Sequence, residues 1–532
     1  MRVRHPILEL FSSFRILVSP SATLLRASLP VATASPVTTA SPLLAAIISL
    51  AAPLAAALPW ATALLWSPVL TATRAHAIES EFDAIASYER LCADCHGERR
   101  YGGYSPPLIP ATLARKQDEA LVGAILKGLP NTQMPAFAGQ LDEAQARVLV
   151  THLREAPSEF SWSLSDIHAS RKEDPATGSK IPPEIRRENL VLVVERGSGS
   201  VVVLDGDTLT ELDRFDVGRI HGGVKFDRGL HQALAVTRDG TLVDYDLDKG
   251  AARTRIKVGI NTRNIAVATE GEFVVAANQL PQGLVVMDGR LRPLSVFPLP
   301  GQPSAVYQIP GSHRFLLTLR DLPQLYFLDY PDLELHKVEL AEPFEDFVFV
   351  PGRPQLIASS RAGKRLVLYD YDRRIVLGSI ETHGLPHLFS ASFFDREGVL
   401  HAAFNHMGAP RLSIIDLERF EIAREVSLLG TGYFTRTHDA TPYLWIDSNT
   451  ESIQLVDKKS LTLVETLLTP APGKKAMHVE FTAPGDRAMV SVWHEQGAVV
   501  IYDSNTLAEV MRIPFAMPVG KYNALNKTRM LR

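Results

Sequence analysis

Val201-Val202-Val203-Leu204-Asp205 is an apolar run that ends in an acid and is followed by the turn residues Gly206 and Asp207. The same strand-and-turn returns at 242–246, 284–288, 325–329, 366–370, 412–416, 453–457 and 499–503, each time closing on Asp. Successive Asp positions are 41, 42, 41, 41, 46, 41 and 46 residues apart. A period of this length is that of a four-stranded propeller blade. Eight copies therefore predict an all-β eight-bladed propeller over residues 188–532, a ring that leaves only short protected strand edges. The Asp is expected to accept backbone N–H bonds in the turn that follows, which makes its recurrence architectural.

Upstream of the repeats, residues 157–187 carry Pro175, Pro182, Pro183 and many charges and read as a linker. Before the linker stands Cys92-Ala93-Asp94-Cys95-His96, which holds the only two cysteines of the 532 residues. This is the c-type haem attachment pattern. Two thiols on one helical turn can add to the two vinyl groups of a porphyrin, and the next residue, His96, is placed under the iron. A disulfide or a thioredoxin-type C-x-x-C is the alternative reading. Met134 follows His96 by 38 residues in a Pro-bounded loop and is the candidate second ligand; its plain alternative is a gap-filling core methionine. Met/His coordination raises a haem's reduction potential and suits electron transfer. A helix is expected from about Asp142 to Glu155, with Ala144, Val148, Leu149 and Leu153 on its apolar side. Together these predict a small all-α, class I-type cytochrome c domain over 78–156.

Residues 1–77 are nearly free of acid, rich in Ala, Leu, Ser and Pro, and end in Ala75-His76-Ala77. They read as a cleaved export signal, which places the mature protein in the periplasm, where covalent haem attachment takes place. The apolar run from Leu43 to about Leu65 is long enough to span a bilayer, so an uncleaved anchor is the alternative. The 455 residues after the signal suffice for two domains. A net charge of −4 with scattered basic residues gives no reason to expect nucleic acid as a partner.

Beyond composition, the chain carries local motifs: Tyr88 to Gly97 and Met134-Pro135 in the cytochrome half, then Gly218-Arg219-Ile220-His221, Thr237-Arg238-Asp239-Gly240, Gly259-Ile260-Asn261-Thr262-Arg263 and Leu385-Pro386-His387. Phe434-Thr435-Arg436-Thr437-His438, Val490-Ser491-Val492-Trp493 and Pro518-Val519-Gly520-Lys521-Tyr522-Asn523 complete the set. On these residues the chain resembles the cytochrome cd1 nitrite reductase family, whose propeller binds haem d1. The resemblance implies haem c as covalent cofactor and haem d1, or its dihydro precursor, as a removable one. It implies His221 as proximal ligand of the haem d1 iron, His387 and His438 over the distal face, and Arg238 and Arg263 near the macrocycle's carboxylates. Arg219, Lys225, Arg436 and Lys474 are further candidates for those carboxylates. A carboxylate-rich macrocycle calls for arginine in fork geometry, which agrees in kind.

Departures from the reductases point to one branch of that family. The chain lacks their extra N-terminal arm with its capping tyrosine, and it has Gln279-Leu280-Pro281 in place of an aromatic-rich loop. It also has His478 and His494 where the reductases do not look like histidine. These favour similarity to the dihydro-haem d1 dehydrogenases, which complete haem d1 for denitrification by converting a propionate side chain to acrylate. Electrons would then leave through haem c to a soluble periplasmic acceptor, with the nitrite reductase as a further candidate partner. His478 would be the base, His387 would hold the distal face or share the proton work, and imidazole suits the task because it titrates near working pH. The alternatives are a working nitrite reductase using His387 and His438, and a non-catalytic haem d1 carrier. Histidines 231, 313, 336, 383, 401 and 406 read as structural or surface residues.

Overall fold

From residue 190 to residue 523 the chain forms eight antiparallel sheets, one per repeat, and the repeated run is the third strand outward in each. The structure is a computed structural model that describes residues 82–102, 105–114, 116–129, 134–155, 162–174, 181–218, 220–360 and 363–529, with only the backbone described at His221. The expected export segment at 1–77 and its apolar run lie outside the described residues. Among the described residues no helix is long and apolar enough to cross a membrane.

The reason for sheets is visible strand by strand. Leu190–Glu195 and Ser200–Asp205 are buried at every position, and a strand buried on both faces reads as an unbroken apolar run. Apolar clusters fill the gaps between neighbouring blades. Val191, Val202 and Leu204 meet Met489, Val499 and Ile501 where the last blade packs on the first. Outermost strands lack this cover: Ile375–Glu381 is mostly exposed. The ring is closed by the last strand of the chain, Pro518–Asn523, which pairs with Leu190–Glu195 and becomes the innermost strand of blade one. Most of the repeated Asp residues do cap their turns: Asp246 accepts the N–H groups of Asp248 and Lys249, and Asp503 those of Asn505 and Thr506. Asp329 differs and is paired with the Arg314 guanidinium.

The cytochrome half contains α1 (Ala84–Leu91), α2 (Ala93–His96), α3 (Pro110–Leu113), α4 (Asp118–Lys127) and α5 (Glu143–Arg154). Asp142 and Gln145 cap α5 reciprocally at 2.8 and 3.0 Å. Its buried stripe is Ala146, Leu149, Val150 and Leu153, an i, i+3, i+4, i+7 pattern. The expected Ala144 and Val148 are exposed, because they lie one step round the helix from that stripe.

Part of the segment read as a linker is a strap. Helix α6 (Leu164–Ser170) and the strand Lys172–Glu173 follow Trp162, and the strand extends blade two by pairing Lys172 with Arg255. Trp162 donates its indole N–H to the Lys257 carbonyl at 3.1 Å. Ile167 is 1% exposed within the cluster between blades two and three.

Candidate functional site

The haem c motif folds as one tight turn. Cys92 ends α1 and caps α2, with its N–H on the Tyr88 carbonyl at 2.8 Å, and both thiols are free. Burial pushes the Cys92 thiol up to about 11. The His96 ring is buried, and its Nδ1 lies 2.6 Å from the Pro106 carbonyl oxygen. A carbonyl can only accept, so Nδ1 carries the proton and Nε2 keeps its lone pair for a metal. Gly97 has φ +80, and a Cβ there would stand 2.4 Å from the Gly102 carbonyl oxygen, so the chain after His96 needs glycine. Met134 packs half-buried against the cytochrome core. Free thiols one turn apart beside a pre-oriented imidazole fit a covalently held haem.

In the propeller, innermost strands begin at the same end as the turns that join second to third strands. That end gathers cations. Arg238 in the blade-two turn has Arg263, Arg320 and Arg196 as its neighbouring charges, and burial together with these cations pulls it down to about 10. Among the described residues the neighbouring charges that act on it are all arginines. Arg263 donates Nε to the Ser304 carbonyl at 2.8 Å. His221 lies at the start of the adjacent inner strand, Ile220–Phe226, and its side chain is outside what the structure describes.

Deeper along the axis two histidines meet around one phenyl ring. His387 Nδ1 lies 2.6 Å from the Tyr433 carbonyl oxygen and 3.0 Å from Ser390 Oγ. The same argument as for His96 leaves Nε2 of His387 as a free lone pair. Phe434 stands between the histidines, its ring 6.0 Å from that of His387 and 4.7 Å from that of His478.

His478 interrupts the strand Lys475–Phe481. The register slips between Met477 and Val479, and His478 has φ +49, so the bulge turns it off the regular alternation. Its pKa is held well below the ordinary imidazole value by burial and by the nearby Lys521, Arg436 and Lys527 charges. Its Nδ1 is 3.4 Å from the Lys521 amide, a long contact that constrains the tautomer little.

Three buried groups that the sequence reading missed hold this arrangement. Asp447 Oδ1 accepts from the N–H groups of Tyr433 and Phe434 at 2.7 and 3.1 Å, while Oδ2 accepts from the His478 N–H at 3.1 Å. One carboxylate thus fixes both the Phe434 loop and the His478 bulge. Asp346 accepts the Phe389 N–H at 2.9 Å and has His387 and the Arg263 guanidinium beside it. The Lys521 ammonium donates to the His478 carbonyl and to Ser491 Oγ. Burial pushes both carboxyls up and the ammonium down. Asp447 ends a second strand rather than a third, so it falls outside the turn-capping series, and that offset is the sequence signal that could have found it.

His438 lies outside this layer. The strand Thr435–Arg436 is only two residues long, so the chain runs on to the opposite end of the axis. There His438 Nε2 meets Arg529 at 2.9 Å, and its ring packs where Gly485 has no side chain. Of the further candidates, Lys225 and Arg436 line a cavity of about 360 Å³ in the axis beneath the two histidines, as do Tyr307, Phe389, Glu480 and Tyr522.

The family model described as cytochrome D1 heme domain matches residues 185–527, and that of cytochrome C oxidase, cbb3-type, subunit III matches 84–153. The chain is 37% identical over 479 residues to dihydro-heme d1 dehydrogenase of Pseudomonas aeruginosa, covering 86% of this chain and 96% of that one. It is 25% identical over 374 residues to Protein NirF of the same organism, covering 64% and 93%. A solved structure of dihydro-heme d1 dehydrogenase NirN in complex with DHE superposes with a TM-score of 0.72 at 36% identity, covering 83% of this chain and 99% of that one.

Proposed function

Because the chain belongs to the cytochrome D1 heme domain family, and within it to the dihydro-heme d1 dehydrogenases, we propose that it converts a propionate side chain of dihydro-haem d1 to acrylate and passes the electrons out through its cytochrome half. The observation that carries this reading is the convergence of His387 and His478 on Phe434, beneath Arg238, whose neighbouring charges are those of Arg263, Arg320 and Arg196. A ligand with several carboxylates answers that charge.

The proposed step removes two protons and two electrons and makes a C=C bond. Arg238 and Arg263 would hold carboxylates of the substrate, and His221 is the proposed ligand of its iron. His387, with its lone pair at Nε2, stands on the other face or shares the proton work. His478 takes a proton from the side-chain carbon; because burial holds its pKa down, it is neutral and able to accept at pH 7. Asp447 and Lys521 keep its backbone in the bulged conformation. Haem c, when attached, would supply a one-electron acceptor, with His96 and Met134 the residues that would hold its iron, and a soluble periplasmic carrier would take the second electron. The cationic group at the rim of the propeller belongs to the substrate in this account.

Mass analysis of the tetrapyrrole recovered after anaerobic incubation with the haem c-loaded protein tests the proposal. A product lighter by two hydrogens is expected, and unchanged substrate would contradict it. Nitrite consumption by protein reconstituted with haem d1 would instead support the reductase reading.

A further inference from the structure

Below the two histidines the axial cavity holds charge that the dehydrogenation does not use. Lys225, Arg436, Lys527 and Arg529 line it, against the single carboxylate of Glu480. Glu480 is taken by Lys527 at 2.7 Å, Arg529 by Asp439 at 3.1 Å, and Arg436 by the carbonyls of Ser390 and Thr435. Lys225 is left. Among the described residues it has neither an ion pair nor a hydrogen bond, and its ammonium stands 5.7 Å from the Tyr307 ring centre and 5.5 Å from that of Phe389. Burial and the Lys527 charge pull it down to about 8, so it is still a cation at neutral pH. A half-buried cation that meets aromatic faces and a like charge but no carboxylate is incompletely compensated.

Lys225 lies four residues beyond His221 on the same inner strand, past the register shift between Ile220 and Val224, and among the described residues the cavity lining takes in none of Arg238, Arg263, His387 and His478. The cavity volume of about 360 Å³ exceeds what an inorganic anion needs and falls in the range of small-molecule sites. Tyr307, Phe347, Phe389 and Tyr522 give it flat apolar walls.

We propose that this lower chamber is a second binding site, separate from the tetrapyrrole site, for a small organic carboxylate with a flat apolar body, its carboxylate paired with Lys225. Calorimetric titration of the haem c-loaded, tetrapyrrole-free protein with benzoate tests this. Saturable binding of one equivalent is expected, at least about tenfold weaker in Lys225→Met and largely restored in Lys225→Arg. Dihydro-haem d1 bound beforehand should leave benzoate affinity unchanged, and inorganic phosphate should bind more weakly. Absence of saturable binding, equal affinity in Lys225→Met, displacement of benzoate by dihydro-haem d1, or phosphate binding as tightly as benzoate would each overturn the proposal. If Lys225→Met does not fold, as judged by its haem c spectrum, the competition and phosphate titrations on the unsubstituted protein decide it. Neither arm depends on turnover, so failure here and failure of the dehydrogenase reading are separate results.

Discussion

His478 owes its inward aim to backbone geometry, since the bulge at +49° moves it off the regular strand alternation and Asp447 holds the N–H that the bulge frees. Replacing a general base lowers turnover by roughly 10²–10⁴-fold. His478→Gln is therefore expected to lose about that much in kcat while still binding dihydro-haem d1, as read by absorbance titration. Because the depressed pKa keeps the imidazole neutral, kcat should hold as pH falls from 7 through 6.5, where an exposed histidine would already be losing its base form. A second residue-scale test concerns stability. Burial lowers His406 to about 4, whereas the unfolded imidazole binds its proton near 6.5. Between those values the unfolded chain holds more protons, so stability falls as pH falls through that window, by about 3 kcal/mol when complete. His406→Gln, which can still reach Ser413, should flatten that part of the denaturation profile. In the cytochrome half, Met134→His should lower the haem c reduction potential, measured by redox titration, because imidazole replaces a thioether.

Elements were the most legible level of the sequence. The eight blades could be counted because each third strand is buried on both faces and then turns on an acid, so the run and its Asp recur together. What could not be read was where the chain leaves that pattern. The short strand at Thr435–Arg436 carries His438 to the far end of the axis, and local motif similarity gave no sign of it. Asp447 looked like any strand-ending acid because its partners, Tyr433, Phe434 and His478, come from two blades. The strap was read as linker because its prolines and charges hide one buried face, Trp162 and Ile167. Trp162→Ala is expected to free that strap, seen as faster proteolysis between 162 and 174 with an unchanged haem c spectrum. Truncation before Pro518 removes the closing strand and bares the inner edge of blade one. Loss of cooperative unfolding and aggregation should follow, since an unpaired hydrophobic edge templates association.

For the whole molecule, the electron count couples the two halves. Desaturation of one side chain releases two electrons, and a single haem c accepts one. In the absence of any other acceptor, two protein molecules must therefore be reduced for each side chain converted. The arginine-rimmed propeller site and the His96 site have meaning together only if that count is met. The direct test is anaerobic mixing of ferric haem c protein with dihydro-haem d1, with absorbance followed at the bands of both groups. Conversion of the tetrapyrrole with two equivalents of haem c reduced per equivalent converted is expected. Conversion that leaves haem c ferric, or binding without any conversion, would contradict it.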